Sequence, residues 1–339
     1  MTSQQRDQRK RRTVAVLGAS GFVGSAVTAA LARQDIRLRA VARRPSHVPG
    51  AEAAGGGAAG IEIRRADLTR PGELAEAVAG ADVVIHLVMH SGGWRAAESD
   101  PASRAVNVGV MENLCEALGG DRAGRPPPLV VYAGAASQIG LPPDRPIDGS
   151  EPDHPATAYD QHKLAAERLL KEASARGVVR GVSLRLPTVF GHVPDSRAAD
   201  RGFVAFMVRR ALSGESLTLW HDGTVRRDLV HVEDVAGAFV AALGHPDALA
   251  GRHWLLGAGR GDPLGDVCRT VAELVAAREG KPPVPVVSVQ PPEGAPATDF
   301  RSVTIDASPY RAITGWRPGV PLRAALERTV AALADARGE

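Results

Sequence analysis

Residues 13–24 read TVAVLGASGFVG. An apolar strand from Thr13 to Leu17 runs directly into Gly18, Gly21 and Gly24, spaced GxxGxxG, and a helical segment follows from Gly21 to Arg33. Glycines at those places let the backbone turn sharply and approach a pyrophosphate, which then sits on the free N–H groups of a helix N-terminus. Ser20, Phe22 and Val23 complete that cradle. A glycine pattern alone is weak, but this one follows a strand, opens a helix and begins a chain of βαβ units.

Working outward, Arg37–Ala42, Ile61–Arg65, Asp82–Val88, Leu129–Ala133 and Val182–Leu186 read as the next strands. Helical segments near Glu73–Ala79, Ala102–Leu118 and Ala158–Ala175 separate them, so the expected fold is α/β, a Rossmann-type doubly wound parallel sheet. Beyond residue 190 Pro and Gly become frequent. Leu229–Leu243 reads as a helix with a strand-like entry, and Pro282–Pro292 as a Pro-rich connection. The expected organisation is a loose tail at 1–12, a dinucleotide-binding domain at 13–190 and 228–250, and a smaller interleaved substrate domain at 191–227 and 251–335. Gly50–Gly60 is a glycine and alanine loop.

Of the 339 residues 44% are apolar and 23% charged, which excludes a disordered or fibrous chain. The 41 Lys and Arg nearly balance 38 Asp and Glu, so no basic surface for nucleic acid is expected. No apolar run is long enough for a membrane span. Cys115 and Cys268 make neither a disulfide framework nor a metal cluster, so a reducing, cytoplasmic setting without a metal is expected.

At the end of the second strand, where an NAD-binding protein usually places an acid, the chain has Ala42, Arg43 and Arg44. Two guanidinium groups suit a 2′-phosphate, which favours NADP(H) over NAD. Asp67 in RADL is placed to accept from an adenine amino group, with Leu68 against the ring. Leu87, Val88 and Met89 end the fourth strand and would line the cofactor. Lysines occur only at 10, 163, 171 and 281 and tyrosines only at 132, 159 and 310, so the pair Tyr159 and Lys163 is informative. A spacing of four puts both on one helix face, where the ammonium can tune the phenol and bind the nicotinamide ribose. Tyr159 is then a proton donor to a carbonyl.

GASGFVG, RADL, VIHLV, NVGVMENLCEA, YxxxK, LRLPTVFG, RRDLVHVEDVA and TGWRP together resemble the extended short-chain dehydrogenase/reductase family, from about Thr13 to the last helix. HSGGWR, VVYAGAASQIG, WHDGTVRRDLVHVEDVA and APATDFRSVTID are similar, more narrowly, to dTDP-4-keto-6-deoxyhexose 4-ketoreductases of antibiotic deoxysugar pathways. The resemblance implies that Arg227 and Arg301 grip a substrate diphosphate, and planar guanidinium forks suit phosphate oxygens. It implies that Asn107 supports the active-site region, that Pro187 and Val189 border the nicotinamide, and that His90 to Arg95 and Arg201 to Phe203 approach the sugar and base. His231 is expected to bond within its own strand-to-helix junction. The family's dimer would form through the helix bearing Tyr159, with Leu164, Leu169 and Leu170 available to it or to the sheet.

One position departs from the family. A Ser or Thr that bonds the reacting carbonyl stands five residues before the glycine matching Gly140, and here that residue is Ala135. Losing such a donor costs about a hundred- to thousand-fold in rate. Three readings stand: Ser137 takes its place, the enzyme is slow or altered in role, or the alanine was introduced. The next positions, Ala136 and Ser137, cannot do the acid/base work of a 4,6-dehydratase. The leading expectation is NADPH-dependent reduction of a dTDP-linked 4-keto-deoxysugar with Tyr159, Lys163 and Ser137 as catalytic residues. The alternatives are an NDP-sugar epimerase and a catalytically impaired NADP-binding sensor.

Overall fold

The computed structural model describes residues 11–48, 60–93, 95–120, 124–194, 196 and 198–338. Residues 1–10 of the tail, 50–59 of the glycine and alanine loop, and Trp94 of HSGGWR lie outside the described residues. Arg12 already belongs to the fold, donating from Nη1 to the Leu243 carbonyl at 3.0 Å.

Six strands, β1 (Thr13–Leu17), β2 (Arg37–Ala42), β3 (Ile61–Arg65), β4 (Val83–His86), β5 (Leu129–Ala135) and β6 (Arg180–Leu186), lie in the order β3-β2-β1-β4-β5-β6. Every ladder between them is parallel. Helices α1 (Phe22–Leu31), α2 (Pro71–Val78), α3 (Val110–Leu118) and α4 (Ala158–Ala175) make the crossovers. Strands buried on both faces need continuous apolar runs, and β1, β4 and β5 supply them: Val14, Ala15, Val16 and Leu17 are wholly buried, as are Val84 and Ile85. The fourth strand is shorter than its apolar run, because the chain leaves the ladder at Leu87 to cross Gly18. The fifth is longer, ending with Ala135 paired to Leu186.

The boundary at residue 251 is corrected by the sheet. Arg252–Leu255, assigned from the sequence to the second domain, is its seventh strand, parallel to β6 from Arg252↔Val182 to Leu255↔Arg185. Buried Trp254 and Leu255 make this edge part of the core. Tyr310 and Trp316 bury in the same apolar cluster as β1, β2 and β4. Their polar tips reach Ala238 (Tyr310 Oη to the carbonyl, 2.7 Å) and Asp234 (Trp316 Nε1 to the carbonyl, 2.9 Å). A separate apolar cluster joins Phe203–Leu212, Leu264–Glu279 and Leu322–Gly338 beside this sheet.

The doubly wound order fixes where a ligand goes. The crossover from β3 to β4 reverses the winding, which opens a crevice at the carboxyl ends of β1 and β4. Gly18, Arg43 and Arg44, Asp67, Leu87 to His90, Ser137 and Pro187 all follow strand carboxyl ends, so the topology gathers them on one rim. Leu164 and Leu170 are buried within the chain, and half-buried Leu169 packs against the same apolar cluster as Leu170.

Candidate active site

The first rim element is the glycine turn. Gly18 has φ +86, a left-handed conformation that costs a side-chain-bearing residue dearly. A Cβ on Gly24 would stand 2.0 Å from the Gly18 carbonyl oxygen, so the helix can come this close to the turn only with glycine there. No side chain caps the start of α1, which leaves its amides for an anion. Gly24→Ala is therefore expected to cost about 1–3 kcal/mol in overpacking and to weaken dinucleotide binding, read by thermal unfolding and by fluorescence titration with reduced cofactor.

Arg43 and Arg44 are exposed just beyond β2. Arg43 also lies close enough to Asp67 to help hold its carboxyl below the usual range, behind the larger effect of the Thr69 hydroxyl bond. Asp67 Oδ1 accepts from both the Thr69 hydroxyl (2.7 Å) and its N–H (3.1 Å). The acid thus shapes its own turn with one oxygen. Beyond β4, Leu87 and Val88 are half-buried and Met89 is exposed. His90 is tied down twice: its N–H donates to Asn107 Oδ1 at 2.9 Å and its Nε2 lies 3.3 Å from Asp100. Asn107 sits in a π-type turn, Ala105–Gly109, that interrupts the helix running from Ala102 to Leu118. Such turns widen a helix locally and recur at functional sites. Asn107 Nδ2, His86 Nε2 and the Tyr132 hydroxyl are buried without hydrogen-bond partners among the described residues.

Thr157 caps α4, its hydroxyl accepting from the Asp160 N–H at 3.1 Å and donating to Asp160 Oδ2 at 2.7 Å. Two residues into the helix comes half-buried Tyr159, and one turn on comes buried Lys163. The Lys163 ammonium donates to the Ala133 carbonyl at 2.7 Å and lies 5.0 Å from the Tyr132 ring centre and 5.8 Å from that of Tyr159. Burial pushes the Lys163 pKa down to about 8. Burial, and then the Asp160 carboxylate, push the Tyr159 phenol above its ordinary value. Fully buried His86 is lowered to about 3 by burial and by the nearby Lys163 charge, so it is neutral.

Ser137 is exposed, and its hydroxyl donates to Asp160 Oδ1 at 2.5 Å. It therefore joins the end of β5 to the start of α4. Ala135 is buried, its N–H taken by Gln138 Oε1 at 2.8 Å. Pro187 and Val189 are half-buried beyond β6. Arg201 reaches the Ser91 carbonyl at 2.5 Å and so meets the loop after β4. Arg227 and Arg301 are brought together, with their guanidinium groups engaged differently. Arg227 donates to the carbonyls of Arg301 (2.5 Å), Thr298 (3.0 Å) and Asp299 (3.2 Å), while Arg301 pairs with Asp144 at 2.7 Å. His231 caps the helix Val232–Ala242, its Nδ1 accepting from the Glu233 N–H at 3.4 Å.

Sequence reasoning passed over an ionic network beneath the Tyr159 helix. Glu167 and Arg185 are both wholly buried and meet at 2.7 Å; Arg185 also forks onto Asp153 at 2.7 and 3.0 Å. Ser183, Lys171 and Gln138 donate to Glu167 as well. Two signals marked it: Glu167 repeats the four-residue step of Tyr159 and Lys163, and an arginine inside an apolar strand demands a buried partner.

The turn with its uncapped helix start, the guanidinium groups beyond β2 and the Tyr159–Lys163 face together fit a nicotinamide dinucleotide. Comparison with known proteins agrees. The model of the NAD dependent epimerase/dehydratase family matches residues 14–257. The chain is 28% identical over 316 residues to the dTDP-6-deoxy-L-talose 4-dehydrogenase (NAD(P)(+)) of Kitasatospora kifunensis, covering 92% of this chain and 93% of that one. It is 30% identical over 271 residues to a UDP-glucose 4-epimerase of Mycolicibacterium smegmatis, covering 79% and 80%. Among solved structures it is similar to MoeE5 in complex with UDP-glucose and NAD, with a TM-score of 0.78 at 26% identity over 97% of this chain and 100% of that one. In fold it also matches RMD from Pseudomonas aeruginosa complexed with NADPH, with a TM-score of 0.74 at 23% identity over 96% and 99%. With the glycine turn, the sheet order and the Tyr159–Lys163 helix already in place, the chain belongs to the NAD dependent epimerase/dehydratase family, within the extended short-chain dehydrogenases/reductases.

Proposed function

We propose that this protein reduces the 4-keto group of a dTDP-linked deoxysugar with NADPH, in the supply of deoxysugars to antibiotics. The observation that carries the reading is the Tyr159–Lys163 face. Tyr159 is held protonated by burial and by Asp160, the state from which a reductase starts, and the buried ammonium stands 5.8 Å from its ring. The dTDP-sugar dehydrogenase of Kitasatospora kifunensis, similar over 92% of this chain, is named for a 4-position redox reaction.

Gly18 to Gly24 would hold the pyrophosphate, Arg43 and Arg44 the 2′-phosphate, and Lys163 the nicotinamide ribose. NADPH supplies the hydride. Tyr159 gives its phenolic proton to the carbonyl oxygen as the alcohol forms, and the Lys163 charge offsets the phenolate left behind. Arg227 and Arg301 would turn from their present carbonyl and carboxylate partners to the substrate diphosphate, with His90 and Arg201 at the sugar. Ser137 would take the place of the hydroxyl missing at 135, its own hydroxyl turning from Asp160 to the carbonyl oxygen. A homodimer through the helices that include α4 belongs to this reading and rests on the family likeness. No described helix is long and apolar enough to cross a membrane.

The identity to a UDP-glucose 4-epimerase favours a second reading, epimerisation. Incubation with a dTDP-4-keto-6-deoxyhexose separates the two. The reductase oxidises one NADPH for each alcohol formed; an epimerase interconverts UDP-glucose and UDP-galactose with no net change in cofactor absorbance. Exchanging Arg43 and Arg44 together for alanine is expected to cut NADPH affinity about ten- to hundredfold, since each lost charge-assisted contact is worth roughly 1.5–3 kcal/mol when well formed and less at an exposed site. NADH affinity should stay within about twofold. Equal losses for both cofactors would remove these arginines from the 2′-phosphate site.

A further inference from the structure

The turn that ends β5 lacks the hydroxyl at Ala135, yet side chains at 137 and 138 tie it to α4 at two points. Gln138 is wholly buried and spans two elements. Its Oε1 accepts the Ala135 N–H at 2.8 Å, and its Nε2 donates to Glu167 Oε2 at 3.3 Å. Glu167 lies one turn beyond Lys163 and two beyond Tyr159 on α4, so the amide joins the strand end to the catalytic helix face. The neighbouring position is fitted to it: a Cβ on Gly134 would stand 3.0 Å from Gln138 Oε1 and 2.8 Å from Ser183 Oγ. Ser183 and Arg185 hold the same Glu167 oxygen at 2.7 and 3.0 Å, so the acceptor itself cannot swing away. Ser137 makes a second link, to Asp160 at the first turn of α4.

We infer that Gln138 is a positioning residue for the reaction at Tyr159, locking the Ala135–Ile139 turn onto Glu167 so that this turn keeps one register against Tyr159 and Lys163. This rests on the ketoreductase reading and deepens it: with no hydroxyl at 135, the turn that carries Ser137 must be placed against Tyr159 and Lys163 by other bonds, and Gln138 supplies them. Gln138 acts through that turn and does not itself touch the substrate.

The test pairs kinetics with hydrogen–deuterium exchange on the full chain. In Gln138→Leu, exchange across residues 133–140 is expected to rise at least about tenfold while α1 stays protected. The kcat for a dTDP-4-keto-6-deoxyhexose should fall at least about tenfold, with KM and the NADPH Kd within about twofold. In Gln138→Glu the introduced carboxyl can donate to Glu167 only when protonated, so kcat relative to wild type should climb as pH drops from 8 to 6. The comparison is made where urea unfolding shows Gln138→Glu fully folded at both pH values, so the trend reports kcat and not loss of folded protein. Unchanged exchange and kcat overturn the proposal, and so does faster exchange with unchanged kcat. If the wild type itself leaves NADPH unoxidised, the ketoreductase reading fails; exchange in Gln138→Leu then decides by itself whether this amide locks the turn.

Discussion

Tyr159→Phe is expected to lower kcat by about 10²–10⁴-fold, the usual contribution of a positioned general acid, while NADPH binds as before. The phenol carries the only proton the proposed reaction takes from the protein, and its ring, which phenylalanine keeps, shapes the pocket beside Lys163. Stopped turnover with an intact fluorescence titration would agree; turnover retained within tenfold would transfer the proton donor's role to another group. A pH profile examines the same pair from the other side. Burial sets Lys163 near 8, so the ammonium is present below that pH and is lost above it, and kcat should decline as pH rises from 7.5 to 9.5. The sign for stability is opposite. Because the folded value lies below the ordinary 10.5, burying the charged form costs stability below pH 8, and that cost fades between 8 and 10.5.

The second large effect belongs to Glu167→Gln. Removing one charge from a buried pair leaves the other uncompensated, which costs about 3–5 kcal/mol; here it would leave Arg185, with none of its side chain exposed, facing Asp153 alone. Burial by itself would raise the Glu167 carboxyl, but hydrogen bonds from His253 and Arg185 and the charges of Arg185 and Lys171 outweigh it and hold the group well below the usual carboxylate range. Its contribution to stability is therefore complete above the ordinary value and lost only in strong acid, so the wild type should tolerate pH 5 much better than the variant. Lys171→Ala is the internal control. That ammonium is about a third exposed, so its loss should cost under about 1 kcal/mol. Urea unfolding of the three proteins at pH 7 checks the order, and equal midpoints for Glu167→Gln and Lys171→Ala would show the pair to be energetically ordinary.

Period and punctuation made the sheet legible in the sequence. Thr13–Leu17, Arg37–Ala42 and Ile61–Arg65 are compact strand-forming segments, and Ala158–Ala175 is bounded by a capping threonine and by Arg176–Gly177; both kinds of signal are local. The seventh strand was not legible, because Arg252–Leu255 is only four residues long and becomes a strand by docking on β6, some seventy residues earlier in the chain. The candidate site divides in the same way. The glycine turn and the Tyr159–Lys163 pair are short-range patterns. The use of Ser137 on Asp160, of Arg227 on carbonyls near residue 300 and of Gln138 on Glu167 depends on which loops meet, and no spacing within one segment encodes that.

That late strand has a consequence for how the protein comes into being. Residues 13–190 look like a self-sufficient nucleotide-binding module when read along the chain, yet one edge of their sheet is closed by Arg252–Leu255 and part of their core by Tyr310 and Trp316. On a ribosome delivering about 5–20 residues each second, the edge of β6 waits several seconds for its partner, presenting unpaired backbone of the sort that recruits other strands. Chaperone dependence and aggregation on rapid overproduction should therefore trace to this interval. A fragment ending before residue 250 should be a poor substitute for the whole, even as a simple cofactor binder.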